Sequence, residues 1–157
     1  MPHAVRTLTD AEAAYIAGII DGEGTISLVR HHSGEHRRPV VSVANTERGL
    51  LTYLHETIGA GRITSKCIAK DHHTPSFVFA IYSRQALELL RQVAPYLRTH
   101  KRARAELLLA RYLLVTPRNG RYTAELLAAR AAFESIFFAV RVRQSAPYRP
   151  ASRGPET

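Results

Sequence analysis

One run constrains this chain more than any other: YIAGIIDGEGTISL, residues 15–28. Eight uncharged, mostly apolar residues (AAYIAGII, 13–20) lead straight into Asp21 and Glu23, each followed by a glycine. Upstream, Thr9-Asp-Ala-Glu12 has capping-box spacing, which predicts a first helix from about Asp10 to Ile20. Gly22 or Gly24, residues that tolerate left-handed conformations, should end it. A helix on the outside of a domain shows one apolar stripe, whereas one that is apolar all round must be covered on every side. A sheet can cover one face. The opposite face carries Ala14, Gly18 and Gly22 at i, i+4 and i+8, small residues that let another backbone approach closely. A second copy of the helix across a two-fold axis would meet the demand. So would C-terminal helices folded over a central helix, and periodicity does not choose between them.

The carboxylates narrow the chemistry. A helix C-terminus carries partial negative charge, so Asp21 and Glu23 cost stability there unless a cation answers them. Two Glu23 side chains at a dyad would hold a proton or bind a divalent cation. Mg²⁺ (or Mn²⁺) suits a site of few carboxylates, a backbone carbonyl and waters, completed by phosphate oxygens. Charge points to such a phosphate: 22 Lys+Arg against 13 Asp+Glu leave +9, which concentrates polyanions, although a merely basic soluble protein has the same balance. A metal beside phosphate is the chemistry of phosphodiester hydrolysis.

Other classes recede. The single Cys67 gives no disulfide framework and no zinc cluster. No apolar run reaches the roughly 18 residues of a membrane span. The start, MPHAVRTLTDAE, lacks the apolar core of a secretion signal. An intracellular protein, cytoplasmic or organellar, is therefore expected, with neither a membrane partner nor a small-molecule cofactor. His31, His32, His36, His72 and His73 fall in predicted turns without the Cys or acidic partners of a zinc site. Gly22 and Gly24 follow a helix, not a strand, so they form no dinucleotide loop.

The rest of the chain alternates hairpins and helices. Thr25–Arg30 (TISLVR) reads as a strand, HHSGEHRRP as a turn and Val40–Ala44 as the returning strand. Asn45-Thr46 opens a second helix with Leu51, Leu54 and Ile58 on one side, and Gly59-Ala-Gly61 stops it. Strands Arg62–Ile68 and Ser76–Tyr82 flank a polar loop, and a third helix spans about Arg84–Val93. Ala105, Leu108, Leu109 and Tyr112 share a face of a fourth helix; Phe133, Ile136, Phe137 and Val140 share one of a fifth. The Pro-, Arg- and Ser-rich segment 146–157 reads as a disordered basic tail after one domain, 1–145. Two hairpins without long crossovers give an α+β fold with a four-stranded antiparallel sheet and C-terminal helices.

At these residues the sequence resembles the LAGLIDADG homing endonucleases. Tyr15-Ile-Ala-Gly-Ile-Ile-Asp-Gly-Glu-Gly24 matches the family motif, with Ile at the first Leu, Ile-Ile for Leu-Ile and Glu for the second Asp. Thr25-Ile-Ser27, Asn45-Thr46, Gly59-Ala-Gly-Arg-Ile63 and Pro95-Tyr-Leu97 followed by basic residues extend the likeness over roughly residues 10–112. The resemblance implies a saddle-shaped sheet over the DNA major groove, with Glu23 and the Gly22 carbonyl at the catalytic metal. Asp21 falls on the architectural acidic position, and Ala17 and Gly18, beside Ala14, on the helix–helix contact. A single motif implies a homodimer. Lys101 matches the family's water-polarising lysine by its spacing to Ala105, while an ungapped alignment puts His100 there. Asn45 matches the water-ordering polar residue, with Arg48 one turn onward as weaker support.

Double-stranded DNA is then the expected partner. A two-stranded ribbon fits the major groove, where all four base pairs are distinguishable. Thr25, Ser27 and Val29, then Arg37, Arg38 and Ser42, then Arg62, Thr64 and Lys66 are expected on the DNA side, although an ordinary solvated sheet face has the same pattern. The implied activity is metal-dependent double-strand cleavage of a long pseudo-palindromic site with short 3′ overhangs, serving intron mobility. An RNA-splicing maturase and a non-cleaving DNA-binding regulator are the alternatives on the same fold.

Overall fold

A computed structural model of the protein describes residues 4–66 and 74–142. Cys67, Ile68, the histidines 72 and 73 and the tail from 146 lie outside the described residues. Chain order is α1 (Asp10–Glu23), β1 (Gly24–Val29), β2 (Arg38–Asn45), α2 (Arg48–Ile58), β3 (Arg62–Ser65), β4 (Phe77–Tyr82), α3 (Ser83–Val93), α4 (His100–Arg111) and α5 (Ala124–Ala139). Short 3-10 turns, Ala94–Tyr96 and Leu113–Val115, flank α4. The expected α+β architecture is present. All three pairings are antiparallel, in the order β1-β2-β4-β3.

Alternation in the strands divides the sheet into two faces. Ile26 and Leu28, Val41 and Val43, and Phe79 and Ile81 point inward and are buried. They meet Ile16 and Ile20 of α1, Leu51, Leu54 and Ile58 of α2, and Leu89, Leu90 and Val93 of α3. Each such side chain contributes roughly 1.5–3 kcal/mol on burial, so this layer is the main stabilising contact. The register aligns the other parity: Thr25 opposes Ser42, Ser42 opposes Ala80, and Ala80 opposes Arg62. No helix of the described residues is long and apolar enough to cross a membrane.

Several local expectations are corrected. The capping box forms, with the Thr9 hydroxyl accepting from the Glu12 amide and the Glu12 carboxylate from the Thr9 amide, both at 3.1 Å. The helix it starts runs on through Gly22 to Glu23. Gly24 then turns in extended backbone, φ −95°, so handedness is not its purpose. A Cβ there would lie 2.7 Å from the Ile20 Cα, so Gly24 is the space that lets β1 leave α1 so abruptly. Asn45 is the last residue of β2, and α2 begins three residues later at Arg48. Ile136, expected on the packed face of α5, is 45% exposed.

The C-terminal helices lie along the β1 edge. The guanidinium of Arg104 (α4) donates to the Ile26 carbonyl at 3.0 Å and the Val140 carbonyl at 3.2 Å, over the Phe137 ring. An edge strand presents unpaired backbone groups, and a cation on its carbonyl blunts that edge. Arg130 of α5 is buried, 4% exposed. It donates to the Thr116 and Tyr122 hydroxyls and the Arg37 carbonyl, and lies 3.6 Å from the Glu134 carboxylate.

Candidate functional site

Two faces of α1 have different environments. Ala13, Ile16, Ala17 and Ile20 are buried in the chain's own core. Ala14, Gly18 and Gly22 are exposed, as is Tyr15 at 54%, its ring edge-on to Tyr53. A Cβ at Gly18 or Gly22 would meet nothing within 4 Å. No described helix covers this face. Ala17, expected with Ala14 and Gly18 at a helix contact, packs inward instead.

At the end of α1 each acidic side chain has a different task. Glu23 is exposed, and its carboxylate accepts a 3.1 Å hydrogen bond from the Asn45 side-chain amide. Asn45 is itself fixed, its Oδ1 accepting from the Glu47 amide at 2.8 Å. The Asp21 carboxylate turns the other way, to the start of α4. It accepts from the Arg98 amide (2.8 Å), the Thr99 amide (3.2 Å) and the Thr99 hydroxyl (2.6 Å). Partial burial pushes the Asp21 carboxyl up, but the Thr99 hydroxyl, the two amides and the Lys101 charge outweigh it and hold it below the usual value.

Lys101, in the first turn of α4, reaches back. Its ammonium donates to the Ile20 carbonyl at 2.8 Å and the Asp21 carbonyl at 2.9 Å. Its half-buried position draws the amine below the ordinary lysine value, with Asp21 opposing. His100, one residue earlier, is half-buried and lowered by burial, then by Arg104 and Lys101, against Asp21.

The outer sheet face holds most of the side chains expected there. Thr25, Ser27 and Val29 share it with Arg38 and Ser42, and with Arg62 and Thr64 beyond β4. Lys66 lies just past β3, exposed, its amide donating to the Ser76 carbonyl at 2.9 Å. Arg37 is elsewhere. Its guanidinium pairs with Glu134 at 3.0 Å and sits over Phe138, tied to α5. Arg38 instead lies over the Tyr82 ring, 4.6 Å from its centroid. Sequence reasoning omitted Val78, Ala80 and Tyr82 from this face, though their alternation with Phe77, Phe79 and Ile81 was the signal. A concavity of about 510 Å³ opens here, lined by Arg38, Arg62, Thr64 and Tyr82 among others.

No protein-family model matches the sequence, and neither does any curated protein. Solved structures do match. The homing endonuclease I-CvuI, in complex with its target in the presence of Ca, aligns with TM-score 0.66 at 19% identity, over 90% of this chain and 87% of that one. The chain has the LAGLIDADG homing-endonuclease fold. The archaeal intron-encoded homing endonuclease I-Vdi141I, complexed with DNA, shares that fold with TM-score 0.57 at 18% identity, over 89% of this chain and 90% of that one. The LAGLIDADG meganuclease I-AabMI, bound to uncleaved DNA, aligns at TM-score 0.61 and 18% identity, over 85% of this chain but 46% of its own.

The acidic end of α1 suits a hard cation. Glu23 offers an exposed carboxylate already oriented by Asn45, and Gly22 precedes it with a last-turn carbonyl, both oxygen donors of the kind Mg²⁺ or Mn²⁺ prefers. Among the described residues no cluster of three or more His, Cys, Asp or Glu forms a complete cage.

Proposed function

We propose that the protein is a homodimeric, divalent-metal-dependent DNA endonuclease that cuts both strands of a long pseudo-palindromic site, leaves short 3′ overhangs and promotes the mobility of its intron. The observation that carries this reading is the pairing, on one subunit, of an oriented Glu23 at the end of α1 with an adjoining antiparallel sheet whose open face bears Arg38 and Arg62. The fold neighbours being complexes with target DNA supports DNA as the partner. The intron-encoded origin of I-Vdi141I supports the proposed biological role.

Dimerisation is supported by the exposed Ala14, Gly18 and Gly22 face. Glycine in a helix interior costs about 1 kcal/mol relative to alanine, and among the described residues nothing lies within 4 Å of a Cβ placed at Gly18. A second α1 packed closely there supplies the reason. The half-length match to I-AabMI fits one subunit of a two-fold assembly.

In this scheme Glu23 and the Gly22 carbonyl would hold the metal, with Asn45 fixing the carboxylate's direction. A bound Mg²⁺ or Mn²⁺ supplies Lewis-acid charge stabilisation and an activated water. Thr25, Ser27, Val29, Ser42 and Thr64 would face base edges, while Arg38, Arg62 and Lys66 would pair with guanine or phosphate.

The test is selection of cleaved sequences from a randomised duplex library with Mg²⁺. Recovery of sites with two-fold symmetry and staggered 3′ ends is expected. Failure of the wild-type protein to cut any duplex with Mg²⁺ or Mn²⁺ would overturn the proposal.

A further inference from the structure

The first turn of α4 and the last turn of α1 exchange partners, and the exchange gives Lys101 a task of its own. A helix C-terminus leaves carbonyls without intrahelical donors and carries partial negative charge. In α1 no basic residue lies in the last turn, and Asp21 and Glu23 add two carboxylates. The start of α4 has the opposite need, amides without acceptors.

Each end answers the other. Asp21 takes the Arg98 and Thr99 amides and the Thr99 hydroxyl, while Lys101 puts its ammonium on the Ile20 and Asp21 carbonyls. The Ile20 carbonyl also accepts from the Gly24 amide, the bond that closes the helix. Two of the three ammonium protons are thus committed to backbone. Reaching a phosphate would require Lys101 to release both bonds from a half-buried position.

We infer that Lys101 is a positioning residue that acts through the α1 backbone, forming with Asp21 a reciprocal latch that sets the Gly22 carbonyl and the Glu23 carboxylate. The inference rests on the metal-binding part of the proposed function. Gly22 and Glu23 follow directly on the carbonyls that Lys101 holds. Partners behind a metal ligand commonly change affinity about 10–100-fold when removed. The latch also explains how an acidic side chain in the motif contributes to the site without facing it.

The test uses Lys101→Met, Asp21→Asn and the double variant in the full chain. Amide hydrogen exchange at Gly24 reads the latch with neither DNA nor metal present. Exchange about tenfold faster or more in each single variant is expected, with a double variant no faster than the worse single. On a cleavable duplex, the Ca²⁺ concentration that half-saturates metal-stimulated binding should rise about tenfold. The pH profile of cleavage should keep its shape. Unchanged Gly24 exchange would overturn the inference. So would unchanged Ca²⁺ dependence together with loss of the basic limb of the pH–rate profile, which would put the ammonium directly on the reacting groups. The exchange arm does not depend on DNA being the substrate, so its failure is distinct from a failed cleavage selection.

Discussion

Replacing Gly18 with glutamine turns the open face of α1 into a measurable sign. In an isolated subunit the new side chain enters open space, since a Cβ there meets nothing within 4 Å. Helix propensity alone then stabilises the fold by about 0.5–1 kcal/mol, worth roughly 1–4 °C in a chain of this size. If two α1 helices pack closely there, the same side chain must be accommodated twice. Overpacking costs about 1–3 kcal/mol per copy, and burying an amide without partners about 1–3 kcal/mol more. Two copies weaken association by at least about 4 kcal/mol, or roughly a thousandfold in dissociation constant. Sedimentation velocity across a concentration series, with thermal melts, reads both quantities. A dimeric wild type and a monomeric Gly18→Gln are expected. A variant that keeps the wild-type mass and melts a few degrees higher would refute close helix pairing.

Two further outcomes follow from the C-terminal helices and the latch. Arg130→Met should lower unfolding free energy by about 2–4 kcal/mol, because it leaves the Arg37 carbonyl, the Tyr122 hydroxyl and part of Glu134 without their buried donor; urea denaturation measures it. Acid should weaken the fold in two stages. His100 is lowered by burial, then by Arg104 and Lys101, so its stabilising contribution is complete above about pH 6.5 and is lost as pH falls below that value. Asp21, also lowered, gives a contribution present above its ordinary value near pH 4 and lost as pH falls further. Urea midpoints against pH should show both stages, and His100→Gln should abolish the upper one.

Much of this was legible because periodicity and spacing are local. The uniformly apolar run before DGEG announced a helix with two faces to cover, and β-branched alternation located the strands. What escaped depends on contacts between distant segments. Arg37 and Arg38 are neighbours in sequence, yet strand parity sends Arg38 over Tyr82 on the open face, while Arg37 is drawn to Glu134, 97 residues away. Asn45 reads equally well as a helix cap or a strand end, and only the sheet register decides. Gly24, one of the two glycines expected to end α1, does end it, but through clearance from Ile20 rather than backbone handedness. Arg104 and Arg130 look like solvated helix arginines until the β1 edge and the Arg37 carbonyl are brought beside them. The carboxylate that does not face the site, Asp21, needed the start of α4 to explain it.

The central claim is that Glu23 carries the hydrolytic metal while the sheet carries recognition, and Glu23→Gln separates the two directly. On a duplex recovered by cleavage selection, binding in EDTA should stay within about threefold of wild type, because the change leaves every sheet-face residue intact. Mg²⁺-dependent double-strand cleavage should fall by about a thousandfold or more. Normal cutting by Glu23→Gln would contradict the claim.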